Sequence, residues 1–486
     1  MRNEARAGQA VAGFRIAKMT FASRGAVGLV AALGLAACAQ VNPDHAFHEV
    51  SDEVSSRTGQ SPRWARTDDA TREADEASRA LLRDGLTVDE AVGVALIRNP
   101  SLQATFAEIG ISQADLAQSG LIANPTLSGF VRFATPGSGT NTEVSIVEDW
   151  LSIFLLPLRK KLGEAQLEQT KLLVADRVTQ LVADVRIAYH TVEAREHLAK
   201  RLRLIVELNR IAVEFAGRQL EAGTIGELDL VNQQALLSQS KVELALTESA
   251  ARRDREALNR FLGLWGQDTA WSIPDEIPEI PREEMPLDGL EALAMNQRQD
   301  LRAARWGVDL IGRALSIKKK TRFFPIGINV GVETERDLGG ERVTGPNFEV
   351  QLPIFDTGKA SIARLESERL RAMRQLDTVA VDARSEVREF RDLMVASREL
   401  AEFYRSVLLP QRSRALDLTL LHYNMMLKGN YDLLFAKQQQ VEVEKAYVEA
   451  WRDYWIARAQ LERAVGGKLP TADREAVTPP SEETSQ

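Results

Sequence analysis

The chain has 486 residues, a net charge of −8 and a single cysteine; 44% of it is apolar and 27% charged. The acidic balance excludes a nucleic-acid partner, which needs a basic surface. One cysteine excludes an internal disulfide framework and any cysteine-based zinc or iron–sulfur site within the chain, and the five histidines show no HExxH-type spacing.

The N-terminus reads as a secretory leader. Arg15, Lys18 and Arg24 form a basic flank, and Gly25 to Ala37 is uncharged and mostly apolar. That run is too short for a spanning helix, which takes roughly 20 residues, but it fits the h-region of a signal peptide. It ends Leu35-Ala36-Ala37-Cys38, which resembles a bacterial lipobox. In a lipobox the thiol takes a diacylglyceryl group, and an N-acyl chain follows on the new N-terminus. Two or more chains anchor stably where one does so only marginally. A plain signal with an incidental cysteine is the alternative. Ala39, not Asp, follows the cysteine, so the inner-membrane retention signal of such lipoproteins is missing. Met19 is a second candidate start. We read 1–37 as signal peptide and 38–84 as a lipid-anchored linker, since Val41 to Arg83 is polar without a steady period. No later segment reaches 18 consecutive apolar residues.

From Leu86 to Gln118 the pattern is helical, broken at Asn99-Pro100, with Thr87 and Glu90 spaced as a capping box. The period then changes. Thr126 to Ala134 has an outward set of Leu127, Gly129, Val131 and Phe133. Pro136-Gly137-Ser138-Gly139 makes a loop, and Glu143 to Phe154 is extended until Pro157 stops it. This is a hairpin pattern. Leu158 to Ala222 is helical without a proline, far longer than a globular helix. Ala222-Gly223-Thr224-Ile225-Gly226 is a turn, and a return helix runs from Glu227 to Leu262 and stops at Gly263. Two long antiparallel helices of this kind form a coiled-coil hairpin.

Pro274, Pro278, Pro281 and Pro286 mark a linker, 268–297, and then the chain repeats itself. Asn99-Pro-Ser-Leu-Gln-Ala is echoed by Arg298-Gln-Asp-Leu-Arg-Ala, Pro125 by Pro325, and Leu156-Pro157-Leu158 by Leu352-Pro353-Ile354. Asp184-Val185-Arg186 is echoed by Glu386-Val387-Arg388, Ala222-Gly223 by Lys428-Gly429, and Leu262-Gly263 by Val465-Gly466. Six echoes in one register define two repeats, 85–267 and 298–467. The tail, 468–486, is polar and expected to be disordered.

The second hairpin shows the strand code plainly. Ile326, Ile328, Val330 and Val332 alternate with Gly327, Asn329, Gly331 and Glu333. Beyond the loop Asp337–Glu341, Phe348, Val350 and Leu352 alternate with Asn347, Glu349 and Gln351. A half-buried soluble sheet and a membrane barrel both carry this pattern. The number of strands favours the barrel. Four strands per chain cannot close, about eight is the minimum, and an open edge in lipid strands unpaired backbone groups. Three chains would supply twelve strands. The fold class expected is therefore mainly α with a small β part.

The order of lipobox, helix, hairpin, very long helix, glycine turn and return helix, all duplicated, resembles the TolC-like outer membrane efflux proteins, in their lipid-anchored branch. The resemblance covers Leu86 to Gly467. Gln219-Leu-Glu-Ala-Gly-Thr-Ile-Gly-Glu-Leu-Asp-Leu230 resembles the family's first periplasmic tip and Met426-Leu-Lys-Gly-Asn-Tyr-Asp-Leu433 the second, with three fewer residues between glycine and aspartate. Leu352-Pro-Ile-Phe-Asp-Thr-Gly358 resembles the strand-to-helix junction. Its counterpart Leu156-Pro-Leu-Arg-Lys-Lys161 lacks the glycine.

The resemblance implies a homotrimer with a shared twelve-stranded outer-membrane β-barrel above a trimeric α-barrel in the periplasm. It implies docking of a periplasmic adaptor, itself bound to an inner-membrane pump, at Gly223, Thr224, Gly226, Leu228, Gly429, Asn430 and Tyr431. It also implies a gate at Asp229 and Asp432, with Phe435 where a further acidic residue would stand. No cofactor is implied beyond the lipid on Cys38.

Plainer readings stand beside these. Asp229 and Asp432 suit helix capping, and Gly223 and Gly429 suit any tight turn. Asp44-His45-Ala-Phe-His48-Glu49 is a solvated segment before it is a metal site. Met425-Met426 reads first as helix packing and only second as a soft thioether pair. Trp150, Phe154, Phe323 and Phe324 suit either an interfacial girdle or ordinary packing, and Lys318-Lys319-Lys320 a solvated helix face. There is no GxSxG, P-loop or dinucleotide fingerprint in a credible context, so an enzyme is not expected. Three functions remain: an efflux duct, the outer duct of a type I protein secretion system, or a structural coiled-coil lipoprotein without a channel.

Overall fold

The computed structural model describes residues 41–83, 85–133, 139–281, 287–322 and 327–469. The leader, Cys38, Pro136, Phe323, Phe324, Pro325 and the tail from 470 lie outside the described residues.

The segment expected to be an extended linker instead holds two helices, α1 (Asp44–Thr58) and α2 (Asp68–Leu81). α1 buries Ala46, Val50, Val54 and Thr58, a thin stripe at four-residue spacing. Phe47 adds an edge-on contact to Phe106 at 5.1 Å. Such a stripe stabilises a helix only when it has a body to pack on, which is why the segment reads as linker in isolation.

α3 (Val88–Arg98) opens with the capping box expected at Thr87 and Glu90. Asn99 then starts α4 (Pro100–Ser119). Its Oδ1 accepts from Leu102 N at 2.9 Å, and its Nδ2 donates to the Phe261 carbonyl at 2.8 Å. Pro100 costs nothing at the first helical position, where the N–H has no partner.

The first hairpin is β1 (Thr126–Phe133) and β2 (Thr140–Asp149). Pro157 does not end it. The Asp149 carboxylate accepts the Ser152 N–H at 3.3 Å and starts α5 (Trp150–Glu221), which runs through the proline. A proline there leaves a carbonyl one turn back without its helical donor. Arg159 reaches back to the adjacent Ser152 carbonyl at 2.6 Å. α5 has 72 residues, roughly 110 Å at 1.5 Å per residue. Its return helix, α6, spans Glu227–Leu262 as the sequence predicts.

The second repeat begins inside the expected linker, with α7 (Leu290–Gln297) standing where α3 stands in the first. There follow α8 (Gln299–Thr321), β3 (Gly327–Arg336), β4 (Arg342–Gln351), α9 (Lys359–Phe403), α10 (Leu409–Asn424) and α11 (Asn430–Val465). One π turn, Tyr404–Leu408, joins α9 to α10 just before Pro410. There the hydrogen-bond register shifts by one residue, with Leu409 N donating to the Tyr404 carbonyl.

α5 is the hub: α1, α3, α4, α6, α8 and α11 all pack on it, whereas α9 and α10 pack on α11. One core lies among α1, α3, α4 and α5 and includes Phe106, Tyr189 and Trp271; the other joins α7, α9 and α11 through Leu290, Met394 and Leu461. An antiparallel seam of α5 on α11 unites the repeats. Along it Arg186 pairs with Glu462, His190 stacks on Trp455 at 5.3 Å, Leu198 meets Val448, and Asn209 meets Gln438.

The four strands form one antiparallel sheet in the order β1-β2-β3-β4. Thus β2 and β3 splice the repeats, pairing Thr142 with Arg336 through Asp149 with Asn329.

Candidate functional site

The register sorts the sheet into two faces. Val144 is opposite Gly129 and Thr334, Ile146 is opposite Leu127 and Val332, and Val330 is opposite Phe348. Because side chains alternate along a strand, one face carries Leu127, Val131, Phe133, Val144, Ile146, Val330, Val332, Phe348 and Val350. All of these are exposed. Only Gly129, Thr140, Thr142, Thr334, Thr344 and Pro346, with Glu148 near the helical end and arginines at the hairpin end, interrupt it. The other face carries Ser128, Arg132, Asn141, Glu143, Ser145, Asn329, Glu333, Glu335, Asn347 and Glu349, with Phe130, Val147 and Val343 as its apolar exceptions. Its polar groups bond to one another: Ser128 to Ser145 at 2.7 Å, Asn141 to Glu335 at 2.6 Å, Asn347 to Glu333 at 2.9 Å. The outward set expected for the first hairpin is the one the register assigns.

The sheet is too small to hide either face or to close. β1 and β4 are edge strands. Gly331 shows how tightly β3 meets β2. A Cβ there would lie 2.1 Å from the Ile146 carbonyl oxygen. Trp150 and Phe154 are exposed where the strands join the helices, and Phe355 is fully exposed at 100%. Lys319 is paired to Glu366 at 2.6 Å.

At the far end of the helices, the two turns prove to be the same turn. Gly226 and Gly429 are both extended N-caps, at φ −87° and −89°, of helices that are each 36 residues long. Asp229 accepts the Gly226 N–H at 3.2 Å and Asp432 the Gly429 N–H at 3.0 Å. The equivalence of Gly223 with Gly429, and the shorter second turn, are therefore corrected: Gly429 matches Gly226. Gly223, at φ 69°, is matched by Met426 at φ 62°. Among the described residues Met426 is the one non-glycine with positive φ. A glycine holds the left-handed position of the first turn and a methionine that of the second. Met425 and Met426 are not packed; Met426 is 94% exposed.

The turns meet across the seam. Tyr431 donates to Gln219 Oε1 at 2.9 Å and its ring lies edge-on to Phe215 at 5.8 Å. Burial, with help from the Asp229 charge, raises the Tyr431 pKa. The Gly429 N–H, then Lys428, hold Asp432 below the usual carboxylate range. Thr224 donates to the Gln219 carbonyl at 3.0 Å; Leu228 and Phe435 project into solvent, while Asn430 is half-buried.

Near the other end of the helices, the Asp44–Glu49 segment is tied down by ion pairs, Asp44 to Arg66 and Glu49 to Lys171. Among the described residues no group of three His, Cys, Asp or Glu could hold a metal, and no helix is long and apolar enough to cross a membrane. Sequence reasoning missed Asp176. Burial, with Asp300 adding to it and Arg298 and Arg463 opposing, pushes its carboxyl up to about 6.

No protein-family model and no curated protein matches the chain. Solved structures do. The CmeC outer membrane channel of Campylobacter jejuni covers 85% of this chain with 91% of its own, at a TM-score of 0.68 and 14% identity. The outer membrane protein VceC of Vibrio cholerae covers 78% with 96% of its own, at 0.64 and 16%. The chain has the TolC-like channel fold. The open-state MtrE outer membrane channel of Neisseria gonorrhoeae is similar over 78% of this chain and 89% of its own, at 0.62 and 19% identity. In this chain the sheet and the first turn stand at opposite ends of α5, which starts at Trp150 beside β2 and ends at Glu221 beside the turn.

Proposed function

We propose that this protein is the outer membrane duct of a tripartite efflux pump, working as a homotrimer. The observation that carries the reading is the four-stranded sheet. It has one exposed apolar face, one polar face and two open edges. Open edges cannot persist in lipid, so three copies close a twelve-stranded barrel with lipid outside and water inside. Exposed apolar residues stand on α6 (Val231, Val242, Leu246), on α9 (Leu393, Phe403) and on α10 (Leu420). They are the surfaces that neighbouring copies cover.

The lipid on Cys38 anchors the chain, and the helices extend into the periplasm. The turns receive the adaptor at Gly223, Thr224, Gly226, Leu228, Gly429, Asn430 and Tyr431. Asp229 and Asp432 ring the gate while also capping their helices. Transport through the duct is passive, and the inner-membrane pump selects the cargo.

The test is the mass of the detergent-extracted outer-membrane protein by light scattering, followed by conductance in a planar bilayer. A conducting trimer supports the duct. A water-soluble monomer overturns it in favour of a structural coiled-coil lipoprotein.

A further inference from the structure

The hairpin end of the second strand pair carries charges that the barrel reading does not use. Arg336 and Arg342 are directly opposite one another, the last pair of the β3–β4 ladder. Their parity is that of Val330, Val332 and Phe348, so both belong to the apolar, outward face. Like charges directly opposite each other destabilise a sheet. Here both guanidinium-bearing residues are exposed, and neither has an ion pair or side-chain hydrogen bond among the described residues. The acidic turn residues Asp337 and Glu341 fall on the alternate parity. Their backbones close the turn, with Asp337 N donating to the Glu341 carbonyl at 2.9 Å. Beneath the arginines, Thr334 and Thr344 face each other with hydroxyls 3.1 Å apart.

We infer that Arg336 and Arg342 form a site for the phosphate of a lipid headgroup in the outer leaflet. The inference rests on the barrel reading above, which turns this face to lipid. The strands enter and leave the helices at their other end, so the hairpin end points away from the periplasm. The last apolar outward residue of β3, Val332, is four residues below Arg336, about 13 Å at the usual strand rise. On β3 that is where acyl chains give way to headgroups, while on β1 the apolar set runs on to Val131, in the row of Arg336, and to Phe133. Two forked guanidiniums match phosphate geometry bidentately, and the threonine pair, in which one hydroxyl donates to the other, leaves one neutral donor below them. A bound phosphate converts the repulsion between the arginines into a shared attraction.

The test uses the full-length protein extracted from outer membranes, and measures retention of diphosphorylated lipid A, dephosphorylated lipid A and inorganic phosphate. The wild type is expected to hold the diphosphorylated lipid at least tenfold more tightly than the dephosphorylated one. Arg336→Gln/Arg342→Gln is expected to lose that preference while keeping the wild-type mass and outer-membrane location. Equal retention of the two lipids by the wild type overturns the site without recourse to any variant. An unchanged preference in the double variant does the same. Displacement of the lipid by inorganic phosphate at equal concentration reassigns the site to free phosphate and overturns the lipid assignment. Absence of the wild type from the outer-membrane fraction overturns the barrel reading, and the site with it.

Discussion

Tyr431 Oη donates to Gln219 Oε1 at 2.9 Å, and this bond ties the turn of the second helical hairpin to the long helix of the first. The Phe215 ring supports it from the side. Tyr431→Phe keeps the ring contact and removes only the hydrogen bond, which is worth about 0.5–1.5 kcal/mol net. Amide exchange across 427–435 should speed up about two- to tenfold with the melting temperature nearly unchanged. Unchanged exchange would mean the hydroxyl does not hold the turn. If the turns gate the duct, the same variant should also conduct more.

Asp229 and Asp432 each satisfy a glycine N–H at a helix start, so in the proposed duct the same carboxylates would both cap and gate. Asparagine separates the two roles, since its side-chain oxygen still accepts the bond but carries no charge. Asp229→Asn/Asp432→Asn should retain the trimer and its melting temperature while reducing cation conductance. Alanine at both positions should lower the melting temperature as well. Charge reversal to lysine should change conductance or adaptor binding without dissociating the trimer; no change in either assay would remove the gate assignment. Because Asp432 is held low, its contribution is complete above the ordinary carboxylate range and disappears as pH falls through its depressed value.

Met426 occupies left-handed backbone that disfavours a side chain by about 1–2 kcal/mol. It gains nothing in return from packing, being almost wholly exposed. Met426→Gly should therefore stabilise the turn, by about 0.5–1 kcal/mol once the added freedom of the unfolded chain is subtracted. A thermal melt in detergent checks this. Should the variant also bind adaptor less well, the methionine is retained for its side chain, and the strain is tolerated for docking.

Much of this molecule is legible in its sequence, and the misses have identifiable causes. The α6 boundaries follow from Gly226 and Gly263, because one caps and the other adopts left-handed backbone where the helix stops. The two sheet faces follow from alternation, with Phe130, Val147 and Val343 as apolar exceptions on the polar side. The N-terminal helices were hidden by thin stripes; Ala46, Val50, Val54 and Thr58 do recur every four residues, and that was the available signal. Pro157 misled because a proline normally breaks a helix, and nothing local announces that Arg159 will serve the neighbouring carbonyl. Glycine alone aligns the turns wrongly, because it marks two different conformations and the second turn has a glycine in only one of them. Asp176 leaves no trace in sequence, since its environment comes from Asp300 and Arg463, far along the chain.

Asp176 sets a pH dependence opposite in sign to that of Asp432. Its folded-state value lies above the ordinary 3.8, at about 6, so folding favours its protonated form. Its contribution is fully present below about pH 4 and is lost as pH rises through about 6. Asp176→Asn should then stabilise the protein at pH 7.5, by about 1–3 kcal/mol, and the advantage should shrink toward pH 4.5. Melting temperatures of both proteins across that range provide the check. An advantage independent of pH would place the cause in packing instead.

Gly331 decides whether the two repeats can share one sheet. Its position opposite Val147 puts any Cβ 2.1 Å from the Ile146 carbonyl oxygen and 2.9 Å from Val147 Cα. Both are backbone atoms, so relief requires β2 and β3 to part, and those are the strands that join repeat to repeat. A well-packed site charges about 1–3 kcal/mol for an added methylene, and a clash with backbone sits at the upper end. Gly331→Ala should therefore reduce the yield of assembled outer-membrane trimer several-fold, seen as a lower ratio of trimer to monomer on unheated gels. Gly345 is the matched control. It lies one strand over, opposite Glu333, with open space within the chain where its Cβ would go. Gly345→Ala should leave assembly intact. Equal yields for the two variants would show that β2 and β3 meet less closely than the 2.1 Å approach requires.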